Sequence, residues 1–390
     1  MKSYDQILSR RTQDIQPSPI RRFFDLAETM DDVISLGVGE PDFRTPWPIR
    51  SAAINTLERQ AIFYGANSGI QPLRDEISVF MKRRYGLDYC PNDEILVTVG
   101  GSEAVDLTFR TLLNPGDEVL ITEPCFVCYA PLVTMADGVP VSLPTHQKDE
   151  FRLTAESLRK AITPKTKLLM MSFPNNPTGA IMRREDYIEI AKVLEGTDIM
   201  VLSDEIYSEL TYGTTHCSPA VIDGMRERTI VINGFSKAFA MTGWRLGWMA
   251  APAPIIEQAR KIHQYGIMCA PMLSQRAAIE ALRSCDKEVA HMVEEYDHRR
   301  RFLLERFRQM GLYCFPPAGA FYLFPNISST GMDSETFCEQ LLQEEHVAVV
   351  PGSAFGESGK DNIRISYAYS LKHLSEAADR MERFIRRHTK

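Results

Sequence analysis

Residues 229–252 read TIVINGFSKAFAMTGWRLGWMAAP. Two apolar runs, TIVINGF (229–235) and LGWMAAP (246–252), flank a polar bend that carries Lys237 and Arg245. Neither run alternates apolar with polar residues, so each reads as a strand buried on both faces. Upstream the same texture recurs in EILVTVG (94–100), EVLITEP (118–124), KLLMMSFP (167–174) and IMVLSDEIY (199–207). Helical patterns lie between several of them, including SEAVDLTFRTLL (102–113) and REDYIEIAKVLEG (184–196). Buried strands joined by helices predict an α/β architecture with a mostly parallel sheet.

Open sheets of this kind bind ligands beyond the carboxyl ends of their strands, so the residues that follow each strand matter most. After the first comes Gly100-Gly101-Ser102, leading into a helix. Free amides and the positive end of the helix dipole suit a phosphate there, although glycine before a helix is also ordinary turn chemistry. After the third stands PNNPTG (174–179), where Asn176 either aims an amide into a site or belongs to a rigid turn. The fourth strand runs into Ser203-Asp204-Glu205-Ile206-Tyr207. A carboxylate closing a buried strand needs a partner, either a protonated ring nitrogen or a structural arginine, so Asp204 is singled out. Glu205 is expected to face solvent. The fifth strand ends at Ser236-Lys237, where partial desolvation lowers an amine's pKa and makes it nucleophilic toward an aldehyde. Arg245 offers a planar guanidinium suited to phosphate.

Composition narrows the field. The 390 residues are 44% hydrophobic, enough for a large core, and 44 basic against 51 acidic residues give a net charge of −7 without a basic stripe. No nucleic-acid or membrane partner is expected from this balance, and no apolar run approaches the ~20 residues of a membrane helix. The N-terminal stretch lacks the apolar core of a secretory signal, which points to a cytoplasmic chain with reduced cysteines. Cys125 and Cys128 form a lone C-x-x-C without a second pair at ligand spacing, so no metal is expected. Beyond residue 286 a long charged helical pattern (286–311) precedes short strand-like pieces at 320–325, 348–351 and 363–368, then a final helix from about 371. The expected division is a large unit, 46–285, and a small α+β unit made of 1–45 and 286–390.

Taken together, these segments resemble the fold-type I, class I aminotransferases that use pyridoxal 5'-phosphate. NGFSKAFAMTGWRLGW (233–248) is similar to that family's cofactor-lysine signature. SLGVGEPDF (35–43), YGANSGIQPLR (64–74), PNNPTG, SDEIY, PAGAFYLF (317–324) and RISYA (364–368) follow in the family's order. The resemblance implies a mostly parallel mixed central sheet covered by helices, with a smaller α+β domain. It also implies that Lys237 carries the cofactor as a Schiff base and later moves the substrate proton. Asp204 is then the partner of the pyridinium nitrogen, with Tyr207 and Asn176 on the ring oxygen and Phe126 stacked on the ring. Gly101, Ser102, Ser236 and Arg245 hold the phosphate. Tyr64 reaches the phosphate of a neighbouring subunit, which implies a homodimer with shared sites. Arg364 clamps the substrate carboxylate with Asn176 and the Gly39 amide.

Two departures stand out. Many members carry a serine where this chain has Gly234. Some aspartate-specific relatives place a lysine at the position of Ser102, or an arginine within the stretch matching 264–271, which here reads QYGIMCAP. A second substrate carboxylate therefore lacks a cation in the sequence. An aromatic or other neutral L-amino acid is the expected donor and 2-oxoglutarate the expected acceptor. An aspartate- or alanine-type enzyme and a β-lyase on the same cofactor are the alternatives. A DNA-binding regulator needs an added domain for which the pattern, starting near residue 18, leaves no room. A nicotinamide enzyme needs a G-x-G-x-x-G after its first strand, which is absent.

Overall fold

The computed structural model describes residues 4–17 and 30–389. Its strands, in chain order, are β1 (Ile34–Ser35), β2 (Ile95–Thr98), β3 (Glu118–Glu123), β4 (Val139–Pro144), β5 (Thr166–Ser172), β6 (Met200–Asp204), β7 (Thr229–Gly234), β8 (Gly247–Ala250), β9 (Tyr322–Leu323), β10 (Val347–Ala348), β11 (Val350–Pro351) and β12 (Ile363–Ser366). Seven of them form one sheet in the order β2-β8-β7-β6-β5-β3-β4. The pairs from β7 through β6, β5 and β3 to β4 are parallel, whereas β8 runs antiparallel to both β2 and β7.

Successive side chains of a strand point to opposite faces, and here both faces are covered. Leu168 and Met170 of β5 enter a cluster with Leu107 and Phe109 of the helix Gly100–Leu112. Leu169 and Met171 enter a second cluster with Tyr187 and Ile190 of the helix Arg184–Leu194. That double burial explains why the runs show no polar alternation. The strand β4 escaped the sequence reading for the opposite reason. It is an edge strand of sequence VPVSLP whose residues are mostly exposed, and proline is tolerated at a sheet edge because no neighbour needs its missing N–H.

The parallel order puts the carboxyl ends of β3, β5, β6 and β7 along one edge of the sheet. Opposite them lies a three-stranded antiparallel sheet, β11-β12-β9, supported by the 24-residue helix Asp286–Gln309 and the helix Leu371–His388. The segment after residue 30 joins this second sheet region, since β1 pairs in parallel with β10. Its continuation, residues 37–43, crosses toward the carboxyl edge of the large sheet. Bidentate hydrogen bonds from Arg299 Nη1 to Asp42, at 2.8 and 3.0 Å, fasten that crossing to the long helix.

Candidate active site

Gly39, Gly101, Ser102, Phe126, Asn176, Asp204, Tyr207, Ser236, Lys237, Arg245 and Arg364 all line one cavity of about 560 Å³. They come from five strand ends of the large sheet, from β12 and from the 37–43 crossing. Tyr64 does not line it; its side chain is 84% exposed on the outside of the chain.

Lys237 follows β7 and lies half-buried beside Tyr207 and Phe321, whose ring centroids lie 5.7 and 5.8 Å from Nζ. The amine donates to the Gly39 carbonyl at 2.6 Å. Desolvation is the largest cause that lowers its pKa, to about 8. Arg364 and Arg245 lower it further, while Glu40 and Asp204 pull the other way. Asp204 closes β6 with its carboxylate in the cavity. Tyr129 donates to Oδ2 at 2.8 Å and the Ile206 amide to Oδ1 at 3.1 Å. Burial holds its pKa above the ordinary value, against these two donors. Among the described residues no lysine, arginine or histidine forms an ion pair with Asp204.

Arg364 is 3% exposed and sandwiched between the rings of Tyr322 and Phe355, 4.7 and 4.8 Å from its central carbon. Its Nη1 donates to Asn176 Oδ1 at 2.9 Å and its Nη2 to the Gly37 carbonyl, while its buried Nε has no partner among the described residues. A buried guanidinium with an unmatched fork edge is suited to a carboxylate. Arg245 donates to the Thr242 carbonyl at 3.0 Å. It lies against the start of the helix Gly100–Leu112, where a Cβ on Gly100 would stand 2.9 Å from Nη2. A guanidinium beside the free amides of a helix N-terminus makes a seat for a phosphate dianion. The absence of a serine at 234 has a packing cause. A Cβ there would meet the Gly247 Cα at 3.0 Å and the Leu246 carbonyl at 3.1 Å.

The cavity thus offers a half-buried amine, a carboxylate held by two donors, an anion seat and an unmatched guanidinium. Among the described residues three cationic and two anionic side chains line it, which favours an anionic occupant. These residues fit pyridoxal phosphate. The family model for aminotransferase class I and II matches residues 31–381. The chain belongs to that family.

This aminotransferase is 51% identical over 389 residues to a putative aminotransferase of Bacillus subtilis, YugH, with 100% of each chain covered. It is 47% identical over 382 residues to an aspartate aminotransferase of Pyrococcus abyssi, covering 97% of this chain and 98% of the other. The aromatic aminotransferase structure of Pyrococcus horikoshii superposes with a TM-score of 0.90 at 46% identity, over 94% of this chain and 99% of that one. The chain is therefore a pyridoxal-phosphate-dependent aminotransferase of fold type I.

Several residues of the aminotransferase site were not legible in its sequence. Tyr129, which holds Asp204, and Tyr322, whose hydroxyl lies 2.6 Å from that of Tyr207, carry no local signal beyond being aromatic. Glu40 lines the cavity and accepts from Thr242 Oγ1. The expectation that Glu205 faces solvent is corrected: its side chain is fully buried. Strand alternation sends it to the face opposite Asp204, where Ser203 and Ser218 donate at 2.9 and 2.6 Å and His216 Nε2 lies at 2.8 Å. Cys125 and Cys128 are half-buried. Burial pushes the Cys125 thiol up to about 12 and the Cys128 thiol well above its ordinary value, so both stay protonated and unreactive at neutral pH. Among the described residues no group of His, Cys, Asp or Glu is arranged to hold a metal ion, and no helix is long and apolar enough to cross a membrane.

Proposed function

We propose that the enzyme transfers the amino group of an aromatic or other neutral L-amino acid to a 2-oxo acid, 2-oxoglutarate in the first instance, with Lys237 as the residue that bears the cofactor. The observation that carries this is the half-buried Lys237 amine, its pKa brought to about 8, in one cavity with an anion seat and an unmatched Arg364. Gly101, Ser102, Ser236 and Arg245 would hold the cofactor phosphate, Phe126 would stack on its ring, and Asp204 would face the ring nitrogen. Tyr207 and Asn176 would meet the ring oxygen. When bound, pyridoxal phosphate supplies an electron sink for the charge that develops at the substrate α-carbon. Lys237 Nζ, about half unprotonated near pH 8, would take the proton from that carbon and return it two bonds further along, across the intervening nitrogen. Arg364 grips the α-carboxylate as a fork with Asn176 and the Gly39 amide, fixing which bond of the α-carbon is presented to the amine.

A neutral donor is favoured because, among the described residues, no cation besides Lys237, Arg245 and Arg364 lines the cavity. A second carboxylate buried there without a partner is costly. Aspartate and aromatic relatives stand at nearly equal identity, 47% and 46%, so the choice of donor rests on these side chains rather than on likeness. The exposed Tyr64 supports a homodimer in which it completes the partner's phosphate seat. Pairing of β1 with β10 supports a small unit of 1–45 with 286–390 beside a large unit of 46–285.

The test is a half-reaction screen. Each common L-amino acid is mixed with loaded enzyme without any 2-oxo acid, and loss of the cofactor's visible band is followed. The product form is then offered 2-oxoglutarate or pyruvate. Phenylalanine, tyrosine or tryptophan reacting fastest supports the proposal. Aspartate or glutamate reacting fastest refutes the charge argument. A band that no amino acid bleaches would turn the assignment toward a β-lyase.

A further inference from the structure

Tyr322 is 1% exposed on β9, in the second sheet, yet it lines the cavity of the large one. Three site elements meet on it. Its ring forms one face of the sandwich around Arg364, 4.7 Å from the guanidinium carbon. A Cβ on Gly39 would stand 2.2 Å from its hydroxyl oxygen, so the crossing reaches its place only because residue 39 is glycine. Its hydroxyl lies 2.6 Å from that of Tyr207, which among the described residues is its hydrogen-bond partner.

Two phenols in contact hold two protons, and only one proton can lie in the bond between them. The other is free to point elsewhere, so the direction of the pair decides what the cavity sees. Burial raises the pKa of both phenols and Arg364 pulls both back down, so both keep their protons. The geometry sets the direction: the ring oxygen placed above against Tyr207 is an acceptor for the Tyr207 proton, while Tyr322 has the Tyr207 oxygen as its acceptor among the described residues. The arrangement that uses both protons has Tyr322 giving its proton to the bond and leaves the Tyr207 proton for the cavity.

We propose that Tyr322 is a positioning residue for the transamination: its phenol donates to Tyr207 Oη and turns the one Tyr207 proton into the cavity, toward the cofactor's ring oxygen. The same side chain, through its ring, holds the flat face of the carboxylate clamp. The phenol and the ring thus have separable tasks, one on the cofactor and one on the substrate. This inference rests on the placement of Tyr207 against the ring oxygen proposed above.

The experiment compares wild type, Tyr322→Phe, Tyr207→Phe and the double variant as loaded enzymes. Melting temperature, cofactor dissociation constant, the pH midpoint of the cofactor's visible absorbance and steady-state constants are measured for each. Loss of one neutral hydrogen bond should lower kcat roughly fivefold in Tyr322→Phe, the factor that corresponds to ~1 kcal/mol. It should also raise the absorbance midpoint by about half a pH unit, because a less strongly bonded ring oxygen holds a proton more readily. KM for the amino acid should stay within about twofold, since the ring that holds Arg364 is unchanged. In the Tyr207→Phe background the second substitution should move the midpoint no further, which is the mark of acting through Tyr207. A Tyr322→Phe enzyme with the wild-type midpoint, or one whose shift adds in full to that of Tyr207→Phe, overturns the proposal. A Tyr207→Phe enzyme whose own midpoint is unmoved overturns the placement of Tyr207 and the inference with it.

Discussion

The pKa of Lys237 is the property on which the chemistry turns, and it can be measured without the cofactor. Cofactor-free enzyme is treated with a trace of an acylating reagent across a pH series, and the labelling of each lysine is read by mass spectrometry. With a pKa of about 8 instead of 10.5, roughly a tenth of the Lys237 amine is unprotonated at pH 7, against a few parts in ten thousand for an ordinary lysine. That is an increase of about 300-fold in the reactive form. Labelling of Lys237 should be half-maximal near pH 8, well below the range of an ordinary lysine. Glu40 raises the value and Arg364 lowers it, so Glu40→Gln should move the midpoint down and Arg364→Met should move it up. The sign carries over to stability. The folded pKa lies below the unfolded one, so burying the charged amine destabilises the cofactor-free protein below pH 8. That burden, roughly 3 kcal/mol, is relieved as pH rises toward 10.5. A Lys237 midpoint at or above 10, or shifts of the opposite sign in the two variants, would refute the reasoning.

Arg364→Ala should raise KM for every amino acid donor by about 100-fold, the loss of a charge-assisted, two-pronged carboxylate contact; an unchanged KM would place the clamp elsewhere. Tyr64→Ala should weaken cofactor binding in the purified enzyme while leaving Lys237 reactivity intact. Mixing Tyr64→Ala chains with Lys237→Ala chains should restore one working site per mixed dimer. Failure to recover activity when sedimentation shows that mixed dimers have formed would mean that Tyr64 serves no neighbouring site.

Sequence exposed the parts of this enzyme that are written locally. The strands β5, β6 and β7 are short runs buried on both faces, and their pattern needs no tertiary knowledge to read. Lys237 and Asp204 were visible because a charged side chain closing such a strand demands a reason. The edge strand β4 was invisible because its prolines and exposed positions look like a loop. Tyr129 and Tyr322 were invisible for a deeper cause. Each acts across a long sequence separation, Tyr129 on Asp204 and Tyr322 on Tyr207, and neither bond leaves a trace in the spacing of residues along the chain.

The neighbouring carboxylates Asp204 and Glu205 show how the fold separates structure from chemistry within two residues. An ionised carboxylate has about four acceptor sites, and a buried one is costly unless they are used. Glu205 spends its sites inward, on two hydroxyls and His216, and that closes its account with the interior. Asp204 receives one phenol and one amide, with its remaining capacity turned to the cavity. A buried acid left half-satisfied toward a cavity is poised for a donor that arrives with a ligand. A protonated ring nitrogen is such a donor, and its charge answers the desolvation that otherwise raises the pKa of Asp204. The sequence asked for a partner at Asp204, and the structure supplies two hydrogen-bond donors, Tyr129 and the Ile206 amide, in place of a structural arginine. Among the described residues no cationic side chain forms an ion pair with it, which supports the proposal that the cofactor's ring nitrogen would be the donor that completes Asp204.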